Sequence, residues 1–470
     1  LPGHVLNVTA SGAVTNNAAG QPVGGLCGTA REATIENCKL VDVTVTNAVK
    51  SASVGGLCGV MLGATVRGCE ADVKVVNNFG DGTRDGRTAA GGVAGRTDGD
   101  GENTTNIISG CVVRGSVEIT EGTSNTYTGG IVGYEVKAGA QITDCDVYAT
   151  VKSAGERVGG IVGHYEGGTL SGCKFYGELN AATKYAGGIA GITSKESTIT
   201  NCLSAGKVNC ATLTGGIVGM NENTLTLEAC ESSSTIAGTD RAGGIIGSNN
   251  APVTISRCTS SAIIEATGNQ IGGIIGCIVT GKTVEVSDCI FSGSITGASQ
   301  RVGGIVGDLG SGSSVCRCYV SGGINGLRAV GGIAGIACNN GKWAEHDEDL
   351  GNKVTNCIVW CDNIVARSED TDAASSGAII GFTAIRNTLA DCLRKYDMTL
   401  TANYCSDVYN QENADATSPL MIQEVAGYTY NYPYHGRTCD PSITPSELAQ
   451  RTLDWNIEVW DFTGFEPKLR

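Results

Sequence analysis

The chain has 470 residues, a net charge of −15 and 70 glycines, but only 5% aromatic residues. This acidic balance excludes nucleic acid and an anionic membrane surface as partners. No apolar stretch reaches the roughly 20 residues that a membrane-spanning helix needs, and the scarcity of aromatics argues against a bulky globular core.

The N-terminus shows neither a signal-peptide pattern nor a cap, and Val5 to Thr15 already read as a repeat strand leading into Gly24. An export signal or anchor is therefore expected upstream of this chain. From Gly24 onward one pattern recurs: Gly-Gly-aliphatic-small aliphatic-Gly. Its copies begin at Gly24, Gly55, Gly91, Gly129, Gly159, Gly187, Gly215, Gly243, Gly272, Gly303 and Gly331, with a worn copy, GAIIG, at Gly377. The commonest spacing is 28 residues, a period that marks a one-dimensional array whose units bury their apolar faces against one another.

Each unit has three apolar stations. The first is the aliphatic after Gly-Gly, such as Leu57, Ile131 and Ile217. The second lies three residues before a recurring cysteine, as Val66, Ile142 and Leu227 do. The third lies six residues after that cysteine, as Val75, Val151, Val208 and Met398 do, and Thr44 and Asn363 break it. Short β-branched stations separated by turn residues are strand patterning. The expected fold is all-β: a parallel β-solenoid, or β-helix, of about 12 rungs, right-handed by analogy with parallel crossovers. Residues 1–395 form the solenoid and 396–470 a C-terminal aromatic cap.

The corners are readable. Gly-Gly supplies positive φ at one bend. The residue before the recurring cysteine is Asn, Asp or Gly in nine of twelve units, which places a left-handed corner there. The fourth motif residue, such as Cys58, Val132 or Val218, directly follows an inward aliphatic. Strict alternation would put it outside as an apolar strip; a bend within the motif would bury it, and burial is favoured because an uncovered strip invites aggregation.

Twelve of the 21 cysteines occupy one station: Cys38, Cys69, Cys111, Cys145, Cys173, Cys202, Cys230, Cys258, Cys289, Cys318, Cys357 and Cys392. A uniform column reads as reduced, buried thiols acting as small hydrophobes, with inter-rung disulfides as the rival. Cys405 and Cys439 lie outside the column and are a candidate bond.

GGLCG at 24–28 and 55–59, the later GGIVG and GGIAG copies, TITNC at 198–202 and SAGKV at 204–208 resemble the GLUG-motif repeat proteins of bacteria. The resemblance covers about residues 20–400, and the closing Trp455, Trp460, Phe462, Gly464, Pro467 and Leu469 is similar to the segment that follows such arrays. It implies a parallel β-helix exported to the bacterial surface, often adhesin-like. In some members similar repeats form a stalk in immunoglobulin-cleaving metallopeptidases, but HExxH is missing here, so that activity does not carry over.

Excess length leaves the rungs as loops, where function concentrates. The loops 77–90 and 96–106 hold Asp81, Asp85, Asp98, Asp100 and Glu102, which read as a solvated acidic loop or as an oxygen-rich Ca²⁺ site; no other cofactor is expected. The insertion 337–353 holds Trp343, a candidate sugar platform or a residue tucked over a corner. Tyr428, Tyr430, Tyr432 and Tyr434 alternate at strand period and read as cap or as carbohydrate-binding face. A short helix follows in 445–453, with Thr444 or Ser446 as N-cap. The histidines fall in different rungs, and no Ser/His/acid or phosphate-loop constellation assembles. The expected function is a non-catalytic, extracellular surface scaffold whose partner is a protein or glycan of a host or neighbouring cell. The alternative is a β-helix that binds or processes glycans.

Overall fold

The computed structural model describes the chain apart from residues 1–2, 50–52, 79–87, 100–104, 123, 137–138, 280–282, 298–299, 311, 338–351, 368–375, 384–387, 403–422, 426–427, 431–436 and 440. It divides into two compact units, Leu1–Thr226 with Cys230–Ala237, and Leu227–Ala229 with Gly238–Arg470. Each unit is a parallel β-solenoid. In every rung a Gly-motif strand is followed by a short second strand that ends two residues before the recurring cysteine. A third wall then carries the chain to the next Gly-Gly.

The stations stack as the spacing requires. In the first unit Ile35, Val66, Ile108, Ile142, Leu170 and Ile199 pair in register on the second wall. In the second unit Ile255, Val286, Val315, Val354 and Leu389 do the same. The third wall corrects three assignments. Val45, not Thr44, pairs with Val75, and Ile364, not Asn363, pairs with Ile324 and with Leu400, which takes the place given to Met398. Parallel pairing aligns the aliphatics and expels the extra residue: the register shifts beside Asp42, whose φ is 51°, as a β-bulge does. At the end of that wall Asn16 Nδ2 donates to Asn47 Oδ1 at 3.0 Å and Asn47 Nδ2 to Asn77 Oδ1 at 2.8 Å, an asparagine ladder that ties rungs together.

The Gly-Gly bend works differently from expectation. Strand Ser53–Gly55 ends at the first glycine and strand Cys58–Leu62 begins at the fourth motif residue. Between them the amides of Leu57 and Cys58 both donate to Val93 O, at 3.1 and 3.0 Å. Two successive amides sharing one carbonyl break the alternation, so Leu57 and Cys58 both face the core, as do their equivalents in the later rungs. No motif glycine has positive φ. They are glycine because backbone occupies the space. A Cβ on Gly129 would lie 1.9 Å from Val132 O, one on Gly130 2.1 Å from Gly160 O, and one on Gly133 2.7 Å from Ala90 N.

The second corner is left-handed in every rung. Asn37, Gly68, Gly110, Asp144, Gly172, Asn201, Ala229, Arg257, Asp288, Arg317, Asn356 and Asp391 all have φ between 50° and 64°. The cysteine that follows completes it: the Cys145 thiol donates to Thr143 O at 3.3 Å, and that of Cys289 to Ser287 O at 3.2 Å. A small buried side chain with a weak donor therefore fills the slot and satisfies a corner carbonyl.

All described cysteines are free thiols; Cys405 lies outside the described residues. Burial pushes the Cys202, Cys289 and Cys318 thiols well above their ordinary range, and the neighbouring Cys145 thiol holds Cys111 up to about 12. Unfolded thiols ionise near pH ~8.5, so their contribution to stability is complete below that pH. Above it the unfolded state sheds protons that the folded state keeps, and stability falls by about 1.4 kcal/mol per pH unit per thiol. The melting temperature is expected to hold steady from about pH 6 to 8 and drop steeply between about pH 9 and 11. Thiol titration in denaturant is expected to return the twelve column cysteines with or without prior reduction; a shortfall of many thiols without reductant refutes the reduced column.

Candidate ligand-binding groove

Most of the residues singled out from the sequence lie outside the described residues: Trp343, Tyr432, Tyr434, Asp81, Asp85, Asp100 and Glu102. Tyr428 and Tyr430 lie on a strand, Tyr428–Tyr430, paired antiparallel with Gln423–Val425. Asp98 ends strand Ala94–Asp98; its carboxylate is 3.7 Å from the Arg96 guanidinium and accepts the Gly99 amide at 2.8 Å. Among the described residues no three His, Cys, Asp or Glu side chains converge as metal ligands, and no helix is long and apolar enough to cross a membrane.

The C-terminal segment covers an apolar stripe along the side of the second unit. Strand Arg437–Thr438 adds in parallel to Leu393–Arg394. Thr444 then caps a helical turn, with Glu447 closing a capping box. The segment packs on Ile290, Tyr319, Ile358 and Leu393, the residues directly after the cysteine in four successive rungs, through Leu448, Leu453, Trp455 and Trp460. Trp455 Nε1 donates to Asn356 O at 3.1 Å and Trp460 Nε1 to Asp288 Oδ1 at 3.0 Å. In the first unit the same column reads Lys39, Glu70, Val112, Asp146, Lys174, Leu203 and Glu231, so the unbroken apolar run from Ile290 to Leu393 is a sequence signal for this packing.

A second column, three residues after the cysteine, stays uncovered in the first unit. It reads Arg114, Tyr148, Tyr176, Ala205 and Ser233. Parallel register places these residues one above another, since Val113, Val147, Phe175, Ser204 and Ser232 pair in turn just before them. The Arg114 guanidinium lies 5.0 Å from the centre of the Tyr148 ring, a cation–π distance. Tyr148 stacks on Tyr176 with centroids 5.0 Å apart and planes 12° apart. Both rings are open to solvent, at 46% and 38% exposure. The stack ends at Ala205, and a cavity of about 390 Å³ begins there, lined by Tyr176, Glu178, Ala205, Lys207, Ser233 and Thr235 over Gly177 and Gly206. Glu178, Lys207 and Thr235 are register partners on the third wall, and Glu178 Oε1 accepts from Asn180 Nδ2 at 3.2 Å.

The rungs also bring together one pair that sequence reading did not assemble: His164 Nε2 and Ser194 Oγ, 2.7 Å apart. His164 leans on the Tyr134 and Tyr127 rings, 5.0 and 5.5 Å away, and those two stack at 4.3 Å. Nearby acids are engaged in the same packing: Glu166 Oε1 accepts from Tyr134 Oη at 2.7 Å, and Glu135 Oε2 from the Glu166 amide at 2.6 Å. These contacts lock a polar seam beside the Gly-motif wall.

No protein-family model matches this chain, and no curated protein matches it. Among solved structures the chain is similar to a candidate immunoglobulin A1 protease from Bacteroides ovatus, with 15% identity, 91% of each chain covered and a TM-score of 0.30.

Proposed function

We propose that the protein is a non-catalytic interaction scaffold of the GLUG-motif type, exported to the bacterial surface, where it engages a glycan or protein of a host or neighbouring cell. The observation that carries this reading is the exposed Arg114–Tyr148–Tyr176 stack. Exposed aromatics held by a rigid wall supply contact area at low entropic cost, as binding surfaces do. The glycine-rich repeat with its stacked cysteines supports the GLUG resemblance and, through it, export. In the glycan-processing alternative, hydrolysis needs paired carboxylates flanking the scissile bond, and the groove lining contributes one, Glu178.

Fluorescently labelled full-length protein tests the proposal. It is expected to bind intact host epithelial or neighbouring bacterial cells saturably and to release no reducing sugar from polysaccharides. Failure to bind any such surface, or turnover of a polysaccharide, refutes it.

A further inference from the structure

We propose that the groove beside Tyr176 binds a neutral pyranose ring of a glycan, seated on the face of Tyr176 opposite Tyr148. This deepens, and rests on, the reading of the protein as a surface scaffold.

Tyr148 covers one face of the Tyr176 ring at 5.0 Å. On the other side the next two rungs present Ala205 and Ser233 at the same position. Rungs repeat every ~4.8 Å, so the side chains leave a gap about two rungs deep where the stack would continue. Its 390 Å³ falls within the range of small-ligand clefts, roughly 300–1,000 Å³. The floor is bare backbone: a Cβ on Gly177 would lie 2.0 Å from Ala149 O, and one on Gly206 2.2 Å from Gly177 O. A floor so tightly packed is preformed, which lowers the ordering cost of binding.

The lining selects the ligand class. A pyranose has a C–H face that packs on an aromatic ring and a rim of hydroxyls that both donate and accept. Around Tyr176 stand a carboxylate acceptor, Glu178, an ammonium donor, Lys207, and two hydroxyls that do either, Ser233 and Thr235. One negative and one positive side chain leave the groove without net charge, which suits a neutral sugar better than a sulfated or phosphorylated one. A partner protein's arginine could also stack on Tyr176, but a guanidinium, a donor only, offers the Lys207 ammonium no acceptor.

The test is binding of full-length protein to immobilised neutral gluco-, galacto- and manno-oligosaccharides, with saturation-transfer NMR on the free sugar that binds. A single ring on one aromatic is expected to bind at about millimolar affinity. Two variants read the site. Tyr176→Ala removes the platform. Ala205→Tyr extends the stack with the protein's own ring and fills the groove. Each is expected to weaken sugar binding by about tenfold, with circular dichroism and melting temperature close to wild type. Binding of none of these sugars, or undiminished binding in both folded variants, overturns the proposal. So does capture of an arginine-rich peptide in place of sugar. Those results leave the scaffold reading standing if the wild type still binds cells; failure of the wild type to bind cells refutes the scaffold reading itself.

Discussion

Val218→Asp is expected to unfold its rung and lower the melting temperature by about 6–10 °C at neutral pH. Val218 is fully buried and pairs with Ala190 in the Gly-motif wall. An aspartate there either buries an unpaired carboxylate or takes up a proton at neutral pH, a penalty of about 3–5 kcal/mol. The sign of the pH dependence follows. The folded-state pKa of the new carboxyl is raised, so the ionisation part of the penalty vanishes below about pH 4, where the unfolded carboxyl is protonated too, and the cost of burying a neutral carboxyl stays. The gap between mutant and wild type should therefore narrow on acidification. Thermal melts followed by circular dichroism at about pH 4 and 7 measure both effects. A mutant as stable as wild type at neutral pH would place this station outside the core.

The second large effect is a single methyl group. Gly130→Ala places a Cβ 2.1 Å from Gly160 O and 2.6 Å from Val147 Cγ1, in two walls at once. The Gly160 carbonyl is backbone and cannot yield without shifting its rung, so a loss of about 3–5 kcal/mol is expected. Gly323→Ala is the internal control. Its nearest neighbour is Ser294 Cβ at 4.0 Å and its φ is not positive, so its stability should stay within about 0.5 kcal/mol of wild type. Equal melting temperatures for the two variants would show that the motif glycines are not packing residues.

The architecture was legible because a repeated station reports its environment twelve times over. The left-handed corner was announced by Asn, Asp or Gly in nine rungs, but Ala229, Arg257 and Arg317 adopt it too. These residues have no intrinsic preference for positive φ; stacking on neighbouring corners imposes it. Thr44, Asn363 and Met398 were misplaced because a fixed count from the cysteine does not register a bulge. The motif glycines were assigned a conformational role, whereas the close approach of backbone from adjacent rungs is a tertiary fact that no single repeat contains. The groove was missed for a different reason. Arg114, Tyr148 and Tyr176 stand at one offset from three successive cysteines, so the signal lies in the regular rungs and not in the inserted loops, where function usually concentrates.

The packing of the terminal segment has a mechanical consequence. Trp460 is fastened to Asp288, the same carboxylate that accepts from Arg317 Nε and Nη2 at 2.8 and 2.7 Å. Trp455 is fastened at Asn356. Tension on the segment beyond Trp460 is thus delivered to the corners at Asp288 and Asn356 before it reaches the Leu393–Arg394 edge, where the segment joins the array. The contacts along Ile290, Tyr319, Ile358 and Leu393 stand between the pulled end and that edge.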